Sequence, residues 1–586
     1  MMKTTLNEWH LTHTNNLPSR IDSLKNSISV LESKGEVEEL SEEEVDGIHE
    51  MSAALFSLSR VNASILWQQA RMSWLRERDA NSKYFHAIMS SRRCRNVISS
   101  ILVDGNRVEG VSEVQEAVFN HFQQHFASPN THRPRAENLR FQMLYYEEGV
   151  SLTMPFGVDE IKEVVWDCES FKSPGPDGIH TGFIKDFWPE LKDDILRFMT
   201  QFHRNGRLSK GINSTFIALI PKVDSLQSLN EFRPIALVGI LYKILAKILA
   251  NCLRKVMISV IAETQTTFVK DRQIMDGILI ANEVVDESRK LKKDLLLFKV
   301  DFEKAYDSID WGYLDDVLRR MAFPTLWRKW MKECVGSAIA SILVNGSPTN
   351  EFPLKRGLRQ GDPLSPFHFL NVAEGLNVLM TAAMEANLFT GYSVGSTNPI
   401  VISHLQFADD TLLMGVKSWA NGRTLRAVLF LFEAMSGLKV NFHKSMLFGV
   451  NIDESWVHEA TSVMSCKIGR LPFIYLGLPI FGDPRRLVFW EPVLDRIKAR
   501  LSEWKSINLS FGGRLVLLKF VLSSLPVYAL SFFKAPSGII SSLESILIKF
   551  CWGGSEDNRK IAWIDRNTIC MNKESGGIGG EEVEGI

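Results

Sequence analysis

Acidic residues that directly follow apolar runs are the feature of this sequence with the clearest chemical potential. Asp301 comes after the run at residues 295–300, and Asp409 and Asp410 lie between the runs at 401–407 and 411–414. The second pattern predicts a hairpin with the acids at its turn. If that hairpin lies beside the first strand, Asp301 and Asp409 would share an oxygen-ligand geometry suited to Mg²⁺. Two such ions, roughly 4 Å apart, serve phosphodiester synthesis from a nucleoside triphosphate. Taken alone, an Asp-Asp pair of this kind is more often a solvated turn.

Short strands and longer helices must position these acids. After Pro155, apolar runs such as residues 216–220 alternate with amphipathic segments, which indicates an α+β domain. Residues 240–257 place apolar side chains on one face and predict a surface helix packed on a sheet. A second helix is expected to start near Pro366, after Ser365.

The two flanks of this domain are predicted to be helical. Residues 6–126 show a helical pattern without strand alternation. Residues 488–550 predict about three helices, broken at residues 511–513, Pro526 and Pro536. The length of 586 residues agrees with several domains rather than one core.

The overall charge does not point to a nucleic-acid-binding protein. The chain has 67 Lys and Arg and 68 Asp and Glu, a formal net charge of -1, whereas proteins that follow phosphates usually carry a basic excess. Any basic surface must therefore be local. The 7 cysteines are scattered and indicate free thiols. Without an N-terminal apolar segment or a long uninterrupted apolar stretch, the sequence predicts an intracellular protein that is neither secreted nor inserted in a membrane.

Several motifs occur in one order along the chain, and a set of this kind is more specific than any single member. They are residues 173–178 (SPGPDG), 216–222 (FIALIPK), 232–235 (FRPI), 299–307 (KVDFEKAYD), 356–366 (RGLRQGDPLSP), 407–410 (FADD), 437–441 (GLKVN), 444–445 (KS) and 475–479 (YLGLP). In this order they resemble the LINE-type, non-LTR retrotransposon reverse transcriptases, and more narrowly the plant-type group. The likeness extends over about residues 74–579.

The resemblance implies an α+β, right-hand polymerase fold with fingers, palm and a helical thumb. Fingers and palm are expected over residues 202–481 and the thumb over residues 484–555. Residues 1–150 would form a helical N-terminal extension or linker, and residues 556–586 a truncated C-terminal tail. In the thumb, aromatic and basic side chains alternate in a composition that suits a nucleic-acid duplex, or equally a plain amphipathic helix: Trp490, Lys498, Arg500, Trp504 and Arg514.

The resemblance also implies the catalytic residues. Asp301 and Asp409 would be the metal ligands, and Asp410 matches the second acid of the turn, whose role is partly structural or electrostatic. Lys444 matches a lysine proposed to protonate the leaving pyrophosphate as a general acid. The implied cofactor is Mg²⁺, as two ions, with Mn²⁺ as an alternative.

Substrate-binding residues follow from the same resemblance. The dNTP would contact phosphate-neutralising cations, a ring under the sugar that leaves no room for a 2′-hydroxyl, and a glycine-containing turn at the template pocket. These residues are Lys222, Arg233, Tyr306, Gln360 and Gly361. Leu476 and Gly477 match a hairpin that grips the primer end. As alternatives, Lys222 and Arg233 would be ordinary surface cations, Tyr306 a core residue, and Gln360 with Gly361 part of an ordinary turn.

The function implied is that of an RNA-directed DNA polymerase, with an RNA template, a DNA primer or target and dNTPs as its partners and the nucleus as its setting. Complete family polyproteins carry an endonuclease before the polymerase, for which this sequence has no room. Residues 74–86 resemble the linker that joins the two, so a truncated start without target nicking in cis is expected. The alternative function is that of a catalytically silent retrotransposon remnant that only binds RNA, which the near-neutral charge favours.

Overall fold

The chain divides into two units, one formed by residues 1–95 with 483–586 and the other by residues 96–482. A computed structural model describes residues 16–70 except 39, residues 97–503 and residues 524–552, with gaps at 104, 128–132, 135–136, 223–227 and 396. Positions 5, 8, 90, 514 and 518 are also described. The predicted linker at 74–86, the break at 511–513 and the tail at 556–586 lie outside these residues.

Helices account for much of the described chain. They are α1 (Leu17–Gly35), α2 (Glu42–Ala70), α3 (Val111–His125), α4 (Tyr146–Leu152), α5 (Val158–Trp166), α6 (Thr181–Asp186), α7 (Trp188–Asn205), α8 (Ile240–Val260), α9 (Ile274–Leu291), α10 (Trp311–Arg320), α11 (Thr325–Gly336), α12 (Ser365–Glu385), α13 (Trp419–Ser436), α14 (Glu454–Met464), α15 (Leu487–Glu503), α16 (Ser524–Leu530) and α17 (Ser537–Cys551).

Strands occur in the unit of residues 96–482. They are β1 (Ser100–Val103), β2 (Asn106–Glu109), β3 (Ser214–Pro221), β4 (Phe232–Val238), β5 (Leu295–Val300), β6 (Phe302–Glu303), β7 (Ile339–Val344), β8 (Ser347–Pro348), β9 (Phe352–Pro353), β10 (Tyr392–Val394), β11 (Ile400–Ile402), β12 (His404–Phe407), β13 (Asp410–Gly415), β14 (Lys439–Val440), β15 (Met446–Val450), β16 (Lys467–Ile468), β17 (Phe473–Tyr475) and β18 (Leu478–Ile480). The mixture confirms the predicted α+β class.

The central sheet has the strand order β12-β13-β5-β15-β16. β5 is its middle strand and pairs antiparallel with both β13 and β15. Its residues are almost entirely buried, as a continuous apolar run predicts for a strand covered on both faces. The sheet therefore fixes the position of the residues that directly follow β5.

The second sheet has the order β4-β3-β7-β8, with β9 also paired to β7. A separate hydrophobic core beneath it includes side chains from before residue 127, among them Ile101, Val118 and Phe122. The expectation of helix alone over residues 6–126 is wrong here, because β1 and β2 form an antiparallel hairpin. The limits of the N-terminal extension and of the other predicted domains stay predictions.

Helix α8 is more deeply buried than its pattern predicts. Ile244, Leu245, Ile248 and Leu249 have no exposed surface, and neighbours around the whole helix are buried with them. It is therefore a core helix and not a surface helix, since α5 covers it as well as α12. Helix α12 begins at Ser365, close to the expected start at Pro366, but its N-cap residue is Leu364 rather than Ser365 and no side chain caps its N-terminus.

A buried ion pair fixes the turn that leads into α12. The Arg359 guanidinium donates to Asp362 at 2.7 Å and to Asn213 at 2.6 Å, and the Tyr242 hydroxyl also donates to Asp362, at 2.8 Å. Arg359 is 8% exposed and Asp362 5%. Removing one partner of such a pair leaves an uncompensated buried charge, typically at a cost of about 3–5 kcal/mol. The residues between them, Gln360 and Gly361, are thereby held from both ends.

The unit that contains the predicted thumb is helical where it is described. Helix α15 packs against both α16 and α17, and Pro526 lies within the first turn of α16 rather than between helices. Trp490 is fully buried and its indole donates to the Pro484 carbonyl at 2.8 Å. It is therefore a core residue and not a stacking surface for bases. Among the described helices, none combines the length and apolar composition that crossing a membrane requires.

Candidate active site

Asp301 lies at the end of the central sheet, one residue after β5. Its backbone is fixed on both sides. The N–H donates to Ser445 Oγ at 3.0 Å, and the carbonyl accepts from the Asn441 N–H at 2.7 Å. Ser445 Oγ in turn donates to the Asn441 carbonyl at 2.8 Å. The segment before β15 therefore holds the Asp301 main chain while its side chain stays exposed.

Asp409 and Asp410 lie at the turn between β12 and β13. Phe407 pairs with Asp410, which leaves Ala408 and Asp409 as the two turn residues. β13 continues along β5, with Thr411 opposite Val300. The two acids of the turn and Asp301 thus reach the same end of the sheet. The predicted hairpin, with acids at its turn and its position beside the first strand, is confirmed.

The three acids lie close enough for their charges to interact. Although the Asp301 side chain keeps exposed surface, partial burial of its carboxyl raises its pKa above the ordinary value, and the Asp409 charge acts in the same direction. Lys444 and Lys299 oppose these effects. Burial also raises the pKa of Asp410, again with a contribution from Asp409. The carboxylates therefore repel one another, and a cation between them would relieve that repulsion.

The donor chemistry of this end of the sheet fits a hard divalent cation. In the described part of the chain, no three His, Cys, Asp or Glu side chains are placed to hold a metal ion. Mg²⁺ usually binds through one or two carboxylates together with waters and substrate phosphates, rather than in an all-protein cage. Two exposed carboxylates, Asp301 and Asp409, suit that mode.

Lys444 and Tyr306 both lie near the acids. Lys444 is exposed, its N–H donates to the Asn441 carbonyl at 3.1 Å, and its charge acts on Asp301. The Tyr306 ring stacks on Phe369 with centroids 4.9 Å apart. Burial and the Asp409 charge raise the pKa of Tyr306 to about 12. The structure thus brings both predicted residues to the acid cluster.

The predicted triphosphate cations lie on the second sheet. Arg233 pairs with Ile220 across β3 and β4, and its side chain is exposed. Lys222 is exposed as well, and its Nζ donates to the Asn230 carbonyl at 3.3 Å. Burial lowers the pKa of Lys304, the Asp307 and Glu303 charges oppose that shift, and the Lys222 charge adds to it. Lys222 is therefore linked to the segment that follows Asp301.

Gln360 and Gly361 lie against β4. The Ala236 N–H donates to the Gln360 carbonyl at 2.7 Å. Gly361 has φ +104°, and a Cβ there would lie 2.8 Å from the Ala236 carbonyl oxygen. Glycine is needed at this position because both the backbone conformation and the close approach exclude a side chain. The Gln360 side chain donates to Asp307 Oδ1 at 3.1 Å, so its amide is directed toward the segment after Asp301.

Leu476 and Gly477 form the turn of the β17–β18 hairpin, with φ values of 49° and 85°. Lys299 of β5 donates from Nζ to the Ile474 carbonyl at 2.9 Å. Tyr475 is fully buried, and burial followed by the Asp410 charge raises its pKa. Tyr475 is thus a core residue, while the turn beside it lies near the acid end of the central sheet.

Two residues that hold the site received no role from the sequence. Ser445 anchors the Asp301 backbone, and Asp307 accepts the Gln360 amide. Both residues lie inside motifs that carry the family resemblance, and this position is the only indication of a role that the sequence gives. Their partners are distant in the chain, so the pairing could not be inferred without the fold.

Replacing Asp301 by Asn should stabilise the metal-free protein. Because the pKa of Asp301 is higher in the folded chain than its ordinary 3.8, its contribution to stability is present below the ordinary pKa and is lost as the pH rises through the raised one. Asp301→Asn should therefore raise the melting temperature in chelator at mildly alkaline pH, with a smaller difference at acidic pH. Tryptophan fluorescence during heating measures this.

The control for that prediction is Asp310→Ala, nine positions after Asp301 in the chain. The Asp310 carboxylate caps α10 by accepting from the Tyr313 N–H at 2.7 Å. Loss of such a cap typically lowers the free energy of unfolding by about 1 kcal/mol, so Asp310→Ala should lower the melting temperature. A melting temperature for Asp301→Asn at or below that of the parent at alkaline pH would contradict the electrostatic account.

Residues 220–480 match the family described as reverse transcriptase (RNA-dependent DNA polymerase). The transposon TX1 149 kDa protein of Xenopus laevis is 24% identical over 539 residues, which cover 90% of this chain and 40% of that protein. The Pol polyprotein of the type-2 retrotransposable element R2DM of Drosophila melanogaster is 28% identical, over 58% of this chain and 29% of that polyprotein. The chain thus spans less than half the length of these relatives.

Among solved structures, apo telomerase from Candida tropicalis aligns with a TM-score of 0.34 and 14% identity, over 63% of this chain and 68% of that one. The plant-type subgroup stays a prediction. The matched family and the retrotransposon relatives, together with the acids at the end of the central sheet, identify residues 220–480 as a reverse transcriptase domain of the LINE-type, non-LTR retrotransposon kind.

Proposed function

We propose that the chain is an RNA-directed DNA polymerase that extends a DNA primer on an RNA template by two-metal nucleotidyl transfer. The observation that supports this most directly is the convergence of Asp301 with the Asp409–Asp410 turn through the pairing of β5 and β13. Reverse transcriptases require a divalent cation, and here we propose two Mg²⁺ ions, with Mn²⁺ as a substitute.

In this proposal Asp301 and Asp409 hold the cations, and Asp410 tunes the local charge. Bound cations would activate the primer 3′-hydroxyl and neutralise the leaving pyrophosphate. Fixation of the Asp301 backbone at N–H and carbonyl limits the reorganisation needed when substrate arrives. Lys444, whose charge already acts on Asp301, would supply a proton or positive charge to the pyrophosphate.

Binding of the dNTP would use the two sheets together. Lys222 and Arg233 are exposed on the second sheet and would neutralise triphosphate oxygens. Tyr306, held by its stack on Phe369, would lie under the sugar. Gln360 and Gly361 would line the template and nucleotide pocket, and the turn at Leu476 and Gly477 would contact the primer end. The nuclear setting rests on the family resemblance alone.

The test of this function is primer extension by the full chain on poly(rA) with oligo(dT), Mg²⁺ and dTTP. The parent should incorporate dTMP, and Asp301→Ala and Asp409→Ala should each abolish incorporation because either change removes one of the two carboxylates proposed to position the cations together. Asp310→Ala, which changes a helix cap away from the proposed ligands, is the matched control and should stay active. A folded parent that binds RNA without incorporating dTMP would contradict the proposal.

Tyr306 should determine the choice of sugar. Tyr306→Val removes the ring and should raise incorporation of UTP relative to dTTP by roughly tenfold or more, since the pocket would then admit a 2′-hydroxyl. Tyr306→Phe keeps the ring and should discriminate like the parent. The ratio of kcat/KM values for the two nucleotides measures the effect. An active Tyr306→Val variant with parental discrimination would exclude this role.

A further inference from the structure

Residues 261–272, in the connection between α8 and α9, run along the edge of β12 that no other strand of the central sheet pairs with. The Gln406 N–H donates to the Thr264 carbonyl at 2.8 Å, and the Thr266 N–H donates to the Gln406 carbonyl at 3.0 Å. Gln265 itself forms a parallel bridge to Gln406. The connection therefore covers the edge of the central sheet next to the strand that leads into the acid-bearing turn.

Gln265 extends this contact into the turn itself. Its side chain is 1% exposed. The carboxamide oxygen Oε1 accepts from the Ala408 N–H at 3.0 Å and from the Thr267 N–H at 3.2 Å. One buried oxygen thus joins residues 261–272 to the residue that precedes Asp409. A buried hydrogen bond of this kind is expensive to break because it leaves an N–H without a partner.

The backbone of the Ala408–Asp409 turn requires a contact that holds it. The residue before Asp409 is Ala408 and not a glycine, yet its φ is 54°, a left-handed conformation that non-glycine residues seldom adopt. Conformations of this type persist only when the surrounding structure holds them. Because Ala408 is adjacent to Asp409, a change in its backbone angles would move the Asp409 carboxylate.

The segment that contains Gln265 is itself held in place by hydrogen bonds. Arg272 donates to three carbonyls of the same connection, those of Ile261 at 2.9 Å, Ala262 at 2.5 Å and Gln265 at 2.7 Å. Glu374 of α12 accepts from the Ala262 N–H at 3.1 Å. The segment that carries Gln265 is therefore held by its own hydrogen bonds and by one to α12. A residue held in this way can fix the position of its own partner.

We propose that Gln265 is a positioning residue that fixes the Ala408–Asp409 turn so that Asp409 can share a divalent cation with Asp301. This rests on the proposed polymerase function. Gln265 does not act on substrate; it acts through the Ala408 backbone. Partners that orient a metal ligand typically change metal affinity or activity by about 10–100-fold when they are removed.

The test compares three variants of the full chain. Gln265→Met keeps the length and volume of the side chain but removes the acceptor, and Gln265→Glu keeps an acceptor oxygen. Thr267→Val is the matched control, because the Thr267 hydroxyl is buried in the same segment without a hydrogen-bond partner among the described residues. Two readouts apply: amide hydrogen exchange of the peptide spanning residues 404–412, and the Mg²⁺ dependence of dTMP incorporation.

Gln265→Met should speed exchange at the Ala408 amide, lower kcat by roughly tenfold or more and shift the Mg²⁺ midpoint upward, with the KM for dTTP little changed. Gln265→Glu should recover most of these losses, and Thr267→Val should resemble the parent. If Gln265→Met does not fold, Gln265→Asn, one methylene shorter, gives the same comparison.

Unchanged exchange at Ala408 in a folded Gln265→Met variant would overturn the proposal, as would a lower kcat with an unaltered Mg²⁺ midpoint. The exchange readout does not require activity. A parent without incorporation would therefore count against the polymerase function, while faster exchange in Gln265→Met would still support the link between Gln265 and the turn.

Discussion

The pairing of β5 with β13 is the contact on which the rest of the site depends. It runs from Val300 opposite Thr411 to Leu296 opposite Gly415, and it brings acids that are far apart in the chain to one end of a buried sheet. β5 is buried among apolar residues, so a register shift of one residue would turn its core side chains outward. Hydrophobic burial thus sets the register, and the register sets where the carboxylates meet.

Bringing these acids together lowers the stability of the folded chain at the end of the sheet. Burial and mutual repulsion raise the pKa of both Asp301 and Asp410, so the fold holds these charges closer than they would lie in an unfolded chain. Lys444 and Lys299 relieve part of the repulsion at Asp301. Active sites commonly carry such a cost because the same charges bind the ligand. The surrounding contacts, from Ser445 and Asn441 on one side and Gln265 on the other, hold the acids in place.

Sequence patterns predicted the elements that carry the acids but not the contacts that hold them. The strand before Asp301 and the hairpin at Asp409 have strong apolar patterns, and both are present. Helical periodicity does not predict the β1–β2 hairpin, although Asp104-Gly105, directly after the apolar residues 101–103, is a turn signal. Helical periodicity could not show that α8 is covered on all sides, because that depends on which helices pack against it. Asp307 and Gln265 act through partners that only the fold brings near.

The most direct test of the metal site replaces Mg²⁺ by Fe²⁺ in a complex of the full chain with poly(rA), a dideoxy-terminated oligo(dT) primer and dTTP. Ascorbate and peroxide then generate hydroxyl radicals at the bound iron, which cut nearby backbone, and mass spectrometry locates the cuts. Shared binding by Asp301 and Asp409 predicts cleavage near both residues, reduced at both by Asp301→Asn and by competing Mg²⁺. Cleavage near only one of them, or at neither, would contradict the account.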